Sequence, residues 1–387
     1  MYNFDKLVDR QGTDCIKWDM LERVYGNKDL IPLFIADMDF EVLPQLQEAM
    51  VKRAQHPTYG YTMPNPKYYE SFINWNKKRN NFDLVKEEMV PIPGVVCGIS
   101  FALTALTEKG DKVLVNTPVY NPFFSAIEQT GRQLVKSSLV WENGKYVMDL
   151  ADMEAKMKDG VSMFILCNPH NPLGRVWTKQ ELEQVVELCA KYNVTVFSDE
   201  IHSDIVFAGH KHVPFLSVSE KAQEIGLLAM APSKTFNIAG LKSSVLVIKN
   251  PEMRQKVKDL ITSFHVGLDL FAYKATEVVY SEGEQWLNEL NAYLLENAKF
   301  VDAYIKENLP KVKTFVPEGT YLMWLDFSAY GFTQEELMEK MKTEAGLVLN
   351  SGITYGEEGA GHARLNIGCP KFLLEKALNQ MKNVFAQ

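Results

Sequence analysis

Short runs of aliphatic and β-branched residues recur through the middle of the chain, and polar or glycine-containing stretches separate them. Apolar runs of this length without alternation are typical of strands that are buried on both faces, as in a parallel sheet covered by helices. The pattern predicts buried strands, several of them parallel, at Lys112–Pro118, Ser162–Pro169, Asn193–Glu200, Gly226–Pro232 and Ser243–Lys249.

A helix is predicted between the second and third of these strands, in "TKQELEQVVELCAKYN". Thr178 and Glu181 have the spacing of a capping box. Leu182, Val185 and Cys189 then fall on one helical stripe. A strand, a crossover helix and a further strand form a βαβ unit, so this region is expected to be a doubly wound α/β domain.

The C-terminal part of the chain has a different pattern. "QWLNELNAYLLENAKFVDAYIKENL" predicts a long amphipathic helix over Gln285–Leu309, and Thr320–Ser328 predicts a strand. Two more helices are expected, in "TQEELMEKMKTEAG" and after Pro370. We therefore predict an α/β fold with a large, mostly parallel-sheet domain at residues 46–284 and a smaller α+β domain from residues 1–45 and 285–387.

The composition of the chain restricts which partners it is expected to bind and in which compartment it is expected to lie. The formal net charge of −8 disfavours nucleic acid or an anionic membrane as the main partner. No uncharged apolar run is long enough to span a bilayer, and the first ten residues lack the apolar core of a signal peptide. The cysteines, 5 in all, are scattered without a C-x-x-C pair, which favours reduced thiols in a cytoplasmic protein.

Polar residues follow each of the first four predicted strands. They are Tyr120 and Asn121, then Asn168, His170 and Asn171, then Asp199, Glu200 and His202, and finally Ser233 and Lys234. Ligands of open α/β sheets bind beyond the carboxyl ends of the strands. We expect a shared site for a small polar ligand there rather than a set of unrelated solvated loops.

The residue types indicate the chemistry of that ligand. A lysine at a dry strand end has an activated amine that suits Schiff-base formation with a carbonyl. A buried aspartate needs a cation, and a tyrosine offers a flat face to a ring. The turn "PGVVCGIS" opens an apolar helix whose first N–H groups can bind a phosphate. Together these groups describe pyridoxal 5′-phosphate.

The sequence resembles the fold-type I pyridoxal-phosphate enzymes of the class I/II aminotransferase superfamily, and within them the MalY/PatB group of cystathionine β-lyases. The matching motifs run nearly from end to end: "FDKLVDRQGTDCIKWD", "IADMDF", "HPTYGYT", "TPVYNPF", "NPHNPLGRVW", "DEIHSDIV", "SKTFNIAGLKSS" and "ARLNIGCPK". The resemblance implies a carbon–sulfur lyase that releases pyruvate, ammonia and a thiol from an S-substituted cysteine such as cystathionine or cystine.

The resemblance also implies roles for single residues. Lys234 would hold the cofactor covalently and move the Cα proton, Asp199 would pair with the ring nitrogen, and Tyr120 would stack on the ring. The phosphate would be bound by Val95, Val96, Ser233 and Lys242, and by Tyr61 of a neighbouring subunit, which implies a homodimer. Asn171 and His202 would lie near the 3′-oxygen of the ring, and Arg364, with Asn171, would bind the substrate α-carboxylate.

Some positions depart from the superfamily pattern or allow other interpretations. Lys242 stands where arginine is usual, so the phosphate contact cannot be a planar fork. Gly240 is expected to let the chain turn closely past the cofactor. His210 and His212 are interpreted as loop residues and no metal site is expected. An aminotransferase on the same site, or a non-catalytic protein with this fold, remain the alternatives.

Overall fold

A computed structural model describes residues 2–386 of the chain. Its helices alternate with strands through most of the sequence. They are α1 (Ile16–Tyr25), α2 (Pro44–Ala54), α3 (Pro66–Asn80), α4 (Val95–Leu106), α5 (Pro122–Gln129), α6 (Leu150–Lys158), α7 (Lys179–Lys191), α8 (Glu220–Ile225), α9 (Pro232–Thr235), α10 (Pro251–Ser263), α11 (Leu270–Glu282), α12 (Glu284–Asn308), α13 (Gln334–Thr343) and α14 (Lys371–Phe385).

The strands are short, and half of them, β4 to β10, lie in the middle third of the chain. They are β1 (Ile31–Pro32), β2 (Met89–Ile92), β3 (Lys112–Thr117), β4 (Gln133–Ser138), β5 (Val140–Glu142), β6 (Lys145–Val147), β7 (Val161–Cys167), β8 (Thr195–Asp199), β9 (Gly226–Met230), β10 (Ser244–Val247), β11 (Leu322–Asp326), β12 (Leu347–Val348), β13 (Asn350–Ser351) and β14 (His362–Asn366).

The large sheet has seven strands in the order β2-β10-β9-β8-β7-β3-β4. β10 is antiparallel to both of its neighbours, and the other adjacent pairs are parallel. The chain moves from β7 through β8 to β9 in one direction and from β3 to β4 in the other. The strand order therefore reverses between β3 and β7, where ligands of α/β sheets bind.

Both faces of the large sheet are buried, which explains the continuous apolar runs in the sequence. Leu114 of β3 belongs to one apolar cluster, together with the α7 stripe at Val185, whereas its neighbours Val113 and Val115 belong to another. The predicted capping box is present, because Thr178 Oγ1 accepts the Glu181 N–H and Glu181 Oε2 accepts the Thr178 N–H. The predicted α/β fold is confirmed.

The helix that follows the glycine turn, α4, lies close against the sheet. A Cβ at Gly98 would come within 2.4 Å of Ile92 Cδ1 and 3.1 Å of Leu246 Cδ2. A larger residue would require the Ile92 and Leu246 side chains, or the helix itself, to shift. The close packing fixes the N-terminus of α4 beside the ends of the central strands.

The two ends of the chain meet around a smaller antiparallel sheet of order β11-β14-β13. β1 pairs in parallel with β12, with Ile31 opposite Leu347. The proposed boundary at residues 284 and 285 falls within one residue of the start of α12, and the boundary at 45 and 46 falls inside α2. The division into two domains stays a prediction.

Some elements were absent from the sequence prediction. The edge strand β4 has the polar sequence "QLVKSS", the hairpin β5–β6 is largely exposed, and β2 contains a proline. Edge strands and exposed hairpins need no continuous apolar run, so they leave little periodic signal. Among the residues described, no helix combines the length and the apolar character needed to cross a bilayer.

Candidate active site

A cavity of about 560 Å³ lies at the carboxyl ends of the central strands, against the N-terminus of α4. The backbone joins its two sides at the reversal point, because the Tyr120 N–H donates to the Asn171 carbonyl over 3.1 Å. Nine of the residues singled out from the sequence line it: Val95, Val96, Tyr120, Asn171, Asp199, His202, Ser233, Lys234 and Lys242.

One end of the cavity is built to receive an anion. α4 begins there at Val95 without a side-chain cap on the preceding Gly94, so the first N–H groups of the helix face the cavity without intrahelical partners. Ser233 is buried beside them. Lys242 is exposed and adopts a left-handed backbone with φ of 47°. The N–H groups of α4, the Ser233 hydroxyl and the Lys242 ammonium are hydrogen-bond donors suited to binding a phosphate group.

The turn in "SKTFNIAGLKSS" is made by residues other than the one expected. Gly240 does not have a positive φ, and a Cβ there would meet nothing within 4 Å. Asn237 and Lys242 are the left-handed residues, with φ of 57° and 47°. Asparagine tolerates this conformation better than most residues. The reversal after Lys234 therefore depends on Asn237 and Lys242 rather than on Gly240.

Lys234 lies in the four-residue helix α9, directly after β9. Its Nζ donates to the Ala36 carbonyl oxygen over 2.6 Å. Burial, with a smaller contribution from the Arg364 cation, lowers the pKa of this amine to about 8, although Asp37 and Asp199 act in the opposite direction. An amine with this pKa has a larger neutral fraction near neutrality than an exposed lysine, and the neutral form is the nucleophile and base.

Asp199 ends β8 and is almost completely buried, at 3% exposed. Its Oδ1 accepts the Ile201 N–H over 3.0 Å. Burial, with a smaller contribution from Glu200, raises the pKa of the carboxyl to about 7, although the Ile201 N–H and the Lys234 cation act in the opposite direction. A carboxylate in such a place is ionised at neutral pH when a cation lies beside it.

His202 and Tyr120 provide ring surfaces around the cavity. The His202 ring contacts Tyr321 edge to face with centroids 5.8 Å apart, and its Nδ1 is buried without a hydrogen-bond partner among residues 2–386. Burial and the cations of Lys234 and Arg364 hold the pKa of His202 well below its usual value, so the ring is neutral. Burial raises the pKa of the Tyr120 hydroxyl.

Arg364 lies on β14 and reaches the cavity through Asn171, whose Oδ1 accepts an N–H from its Nη1 over 3.0 Å. Nη2 donates to Asn350 Oδ1 over 2.6 Å and to the Phe34 carbonyl. Nε is buried with no partner within the described part of the chain. The guanidinium is thus held from several sides with a buried donor still free for a carboxylate oxygen.

Other polar residues at the strand ends have structural roles. His170 Nε2 donates to the Pro118 carbonyl over 2.7 Å, and burial lowers the pKa of its ring to about 4. His212 does lie in a loop, but it is buried, and its Nε2 donates to the buried Glu200 over 2.8 Å. Within residues 2–386 no group of three or more His, Cys, Asp or Glu side chains is arranged to hold a metal ion.

Tyr61 stands apart from the cavity. It is fully exposed, in the extended stretch between α2 and α3. Neighbouring Tyr59 and Met63 are also exposed. Nothing in a single chain brings this tyrosine to the site described above.

Several residues that shape the site were not identified from the sequence. Ala36 and Ile201 line the cavity, and Asn350 holds Arg364. Ala36 lies in the motif "IADMDF", but an alanine that acts through its carbonyl oxygen carries no side-chain signal. Asn350 lies in a two-residue strand, where no periodicity marks it.

The donor set fits pyridoxal 5′-phosphate. The helix N-terminus and Ser233 suit a phosphate, the buried Asp199 suits a protonated ring nitrogen, and the Lys234 amine suits an aldehyde. The partnerless buried His202 Nδ1 and Arg364 Nε are consistent with this, since buried polar atoms are normally satisfied. A bound cofactor and substrate would supply what those two nitrogens lack.

Comparison with known proteins agrees with this chemistry. The model of the family "Aminotransferase class I and II" matches residues 28–381. The curated protein "Cystathionine beta-lyase PatB" of Bacillus subtilis is 42% identical over 382 residues, which cover 98% of this chain and 99% of that protein.

Solved structures of similar proteins have the same fold. A pyridoxal-phosphate-bound putative aminotransferase from Clostridium difficile superposes with a TM-score of 0.97 at 43% identity, over 100% of both chains. A pyridoxal-phosphate-bound C–S lyase from Staphylococcus hominis superposes with a TM-score of 0.93 at 31% identity, over 100% of this chain and 99% of that one.

Proposed function

Because the chain belongs to the class I and II aminotransferase family, we propose that it is a pyridoxal 5′-phosphate-dependent carbon–sulfur β-lyase acting on S-substituted cysteines. The observation that carries the proposal is the cavity in which a buried amine of lowered pKa, a buried carboxylate and a helix N-terminus converge. The named function of the PatB relative supports elimination as the reaction.

When bound, the cofactor supplies a ring that accepts electrons from the substrate Cα. Asp199 would keep the ring nitrogen protonated, which strengthens this electron acceptance, and Tyr120 would stack on the ring face. The neutral His202 ring and Asn171, which line the same cavity, would hydrogen-bond the 3′-oxygen. These roles are supported by the placement of all four side chains around one cavity.

Lys234 carries the proton in the reaction. Its neutral amine removes the Cα proton, and the electrons of that C–H bond form a double bond to Cβ as the thiolate leaves. Water then converts the remaining three-carbon unit to pyruvate and ammonia. The substrate α-carboxylate binds Arg364, and Asn171 orients the guanidinium.

Product analysis tests the proposed function. Incubation of the loaded protein with L-cystathionine should release homocysteine, pyruvate and ammonia in equal amounts, and cystine or S-methylcysteine should also release pyruvate. Amino transfer from the same substrates to an added keto acid, without release of a thiol, would show an aminotransferase instead. No product with any sulfur amino acid would refute the proposal.

Replacing Arg364 should mainly weaken substrate binding. We expect Arg364→Lys to raise KM about 10- to 100-fold with a smaller change in kcat, because lysine keeps the charge but loses the fork that matches a carboxylate. Steady-state kinetics with L-cystathionine gives both constants. A KM within about twofold of the parent value would mean that another group binds the carboxylate.

The exposed stretch around Tyr61 supports a homodimer with shared sites. Exposed aromatic and methionine side chains at Tyr59, Tyr61 and Met63 are typical of a surface that a second copy covers. In such a dimer the Tyr61 hydroxyl of one copy and Lys242 of the other would bind the same phosphate. The five free cysteines suit a reducing compartment, and we propose the cytoplasm.

Two substitutions test the proposed phosphate site, one at Lys242 of the same subunit and one at Tyr61 of the neighbouring subunit. Lys242→Ala and Tyr61→Phe should each weaken cofactor affinity about 5- to 20-fold, since each removes one contact to the phosphate. Lys256→Ala, at an exposed lysine of α10, is the control. Equilibrium dialysis measures affinity and sedimentation measures the dimer. A monomer with undiminished affinity would contradict the shared site.

A further inference from the structure

Residues 35–40 (segment 35–40) cross the edge of the cavity beside Lys234. The carbonyl oxygen of Ala36 accepts the Lys234 amine at 2.6 Å and the Tyr321 hydroxyl at 2.9 Å. Among the described residues, the bond to the Ala36 carbonyl is the hydrogen bond that the Lys234 side chain makes. The position of a single backbone oxygen therefore governs the direction of the amine.

Asn237 holds segment 35–40 from the lysine side. Its Nδ2 donates to the carbonyls of Met38 and Phe40 over 2.8 and 3.1 Å, and its Oδ1 accepts the Met38 N–H over 2.9 Å. Asn237 follows Lys234 by three residues and has φ of 57°. The reversal of the chain after Lys234 thus turns this amide toward the segment.

Asn366 holds the same segment from the opposite side. Its Nδ2 donates to the carbonyls of Ile35 and Asp37, and it is completely buried. It lies on β14 two residues after Arg364, whose Nη2 donates to the Phe34 carbonyl. Segment 35–40 therefore joins the lysine loop to the strand of the proposed carboxylate-binding arginine.

Buried charges fix the outer end of the segment. Asp39 is inaccessible to solvent and accepts Lys17 Nζ over 2.6 Å and Arg10 Nη1 over 2.8 Å. Arg10 also pairs with Asp37 at 2.7 Å. The fully buried Asp39 and Lys17 hold one geometry, because breaking their contact leaves an unpaired ion in the interior.

We propose that Asn237 is a positioning residue of the reaction, which holds segment 35–40 so that the Ala36 carbonyl fixes the direction of the Lys234 amine. Asn366 has the same role, because it holds the segment from the opposite side. An amine that donates one N–H to a fixed acceptor has its lone pair restricted to the remaining directions, so it attacks or accepts a proton along a defined line. The role deepens the proposed function, because it presumes that Lys234 is the reacting amine.

Covalent attachment of the cofactor tests this without relying on lyase activity. The cofactor-depleted full chain is mixed with pyridoxal 5′-phosphate, and the visible absorbance of the attached cofactor is followed from low to high pH. In Asn237→Gly, which keeps the left-handed backbone free of strain, we expect attachment to slow about 10- to 100-fold.

The midpoint of the pH profile should also move to lower pH in Asn237→Gly. The Ala36 carbonyl favours the ammonium form, so its displacement disfavours that form. The other charged groups that act on Lys234 are Arg364, Asp37 and Asp199. Arg364 and Asp199 lie outside segment 35–40 and stay in place, and because Asp37 also favours the ammonium form, its loosening with the segment moves the midpoint in the same direction. In steady-state assays kcat should fall with the attachment rate while KM changes less than about threefold.

Two controls separate positioning from loss of folding or of binding. Pyridoxamine 5′-phosphate uses the same phosphate and ring contacts but cannot bond to lysine, so its affinity should be unchanged in Asn237→Gly. Asn297→Ala removes a buried asparagine that likewise holds two carbonyls, those of Ile367 and Cys369 at 3.1 and 2.9 Å, outside segment 35–40. It should leave the attachment rate and its pH midpoint unchanged.

An attachment rate and pH midpoint in Asn237→Gly that match the parent protein would overturn the proposal. An equal loss in Asn297→Ala would overturn it as well, since it would reduce the effect to general stability. Failure of the proposed function gives a different result, in which the parent protein attaches the cofactor normally but releases no thiol from sulfur amino acids.

Discussion

Lys234→Ala is expected to lower lyase turnover by about 10⁴-fold and to remove the yellow colour of the lysine-bound cofactor. The amine would serve both as the covalent attachment point and as the base, so its loss affects both steps. The fold should be retained, because the Lys234 side chain makes one hydrogen bond, to the Ala36 carbonyl. Visible absorbance, circular dichroism and the rate of pyruvate release measure these effects.

Added primary amines provide the control for the Lys234→Ala variant. If the missing group is a base, methylamine in solution should restore part of the activity in proportion to its concentration, and the rescue should rise with pH as the amine becomes neutral. Lys211→Ala, at an exposed loop lysine, should have parental colour and turnover. A yellow Lys234→Ala variant would mean that another lysine holds the cofactor.

Asp199→Asn should lower kcat about 100- to 1000-fold while the cofactor still binds. The substitution keeps the shape of the side chain and removes the charge that holds the ring nitrogen protonated. Asp204→Asn is a matched control. Asp204 is also buried and its carboxyl also has a raised pKa, but it accepts Trp75 Nε1 and Thr235 Oγ1 rather than facing the cavity. We expect Asp204→Asn to lower the free energy of unfolding while changing kcat little.

The pH dependence of cofactor affinity gives a second test of Asp199. In the cofactor-free protein the carboxyl has a pKa of about 7, so below that pH it binds a proton that it must lose when the protonated ring binds. The affinity of the parent protein should therefore fall as pH decreases below 7, by up to about tenfold per pH unit. Asp199→Asn should lack this component, and identical slopes in both proteins would contradict the pairing.

The sequence predicted the parts of the site that depend on side-chain chemistry at strand ends. Tyr120, Asn171, Asp199 and Lys234 each follow a strong apolar run, and the sheet topology brings the ends of those runs to one edge. The capping box of α7 and the long helix α12 were also predictable, because local hydrogen bonds and a regular apolar stripe determine them.

The parts that could not be predicted depend on contacts between distant residues. The Ala36 carbonyl has no side-chain signature, and the partners of Asn237 lie nearly 200 residues away, as the separations of 199 and 197 from Met38 and Phe40 show. His212 looked like an ordinary loop histidine because its partner Glu200 becomes a neighbour only after β8 and the following loop fold together.

The hydrogen bonds that hold Phe34 and the adjacent segment 35–40 also set the order in which the chain can fold. Phe34 bonds to a residue 330 positions later in the chain, and Asp37 to one 329 positions later. Neither contact can form until Arg364 and Asn366 have been synthesised. On a ribosome, which delivers the chain from its N-terminus, the amine of Lys234 meets its final surroundings only after nearly all of the protein has been synthesised.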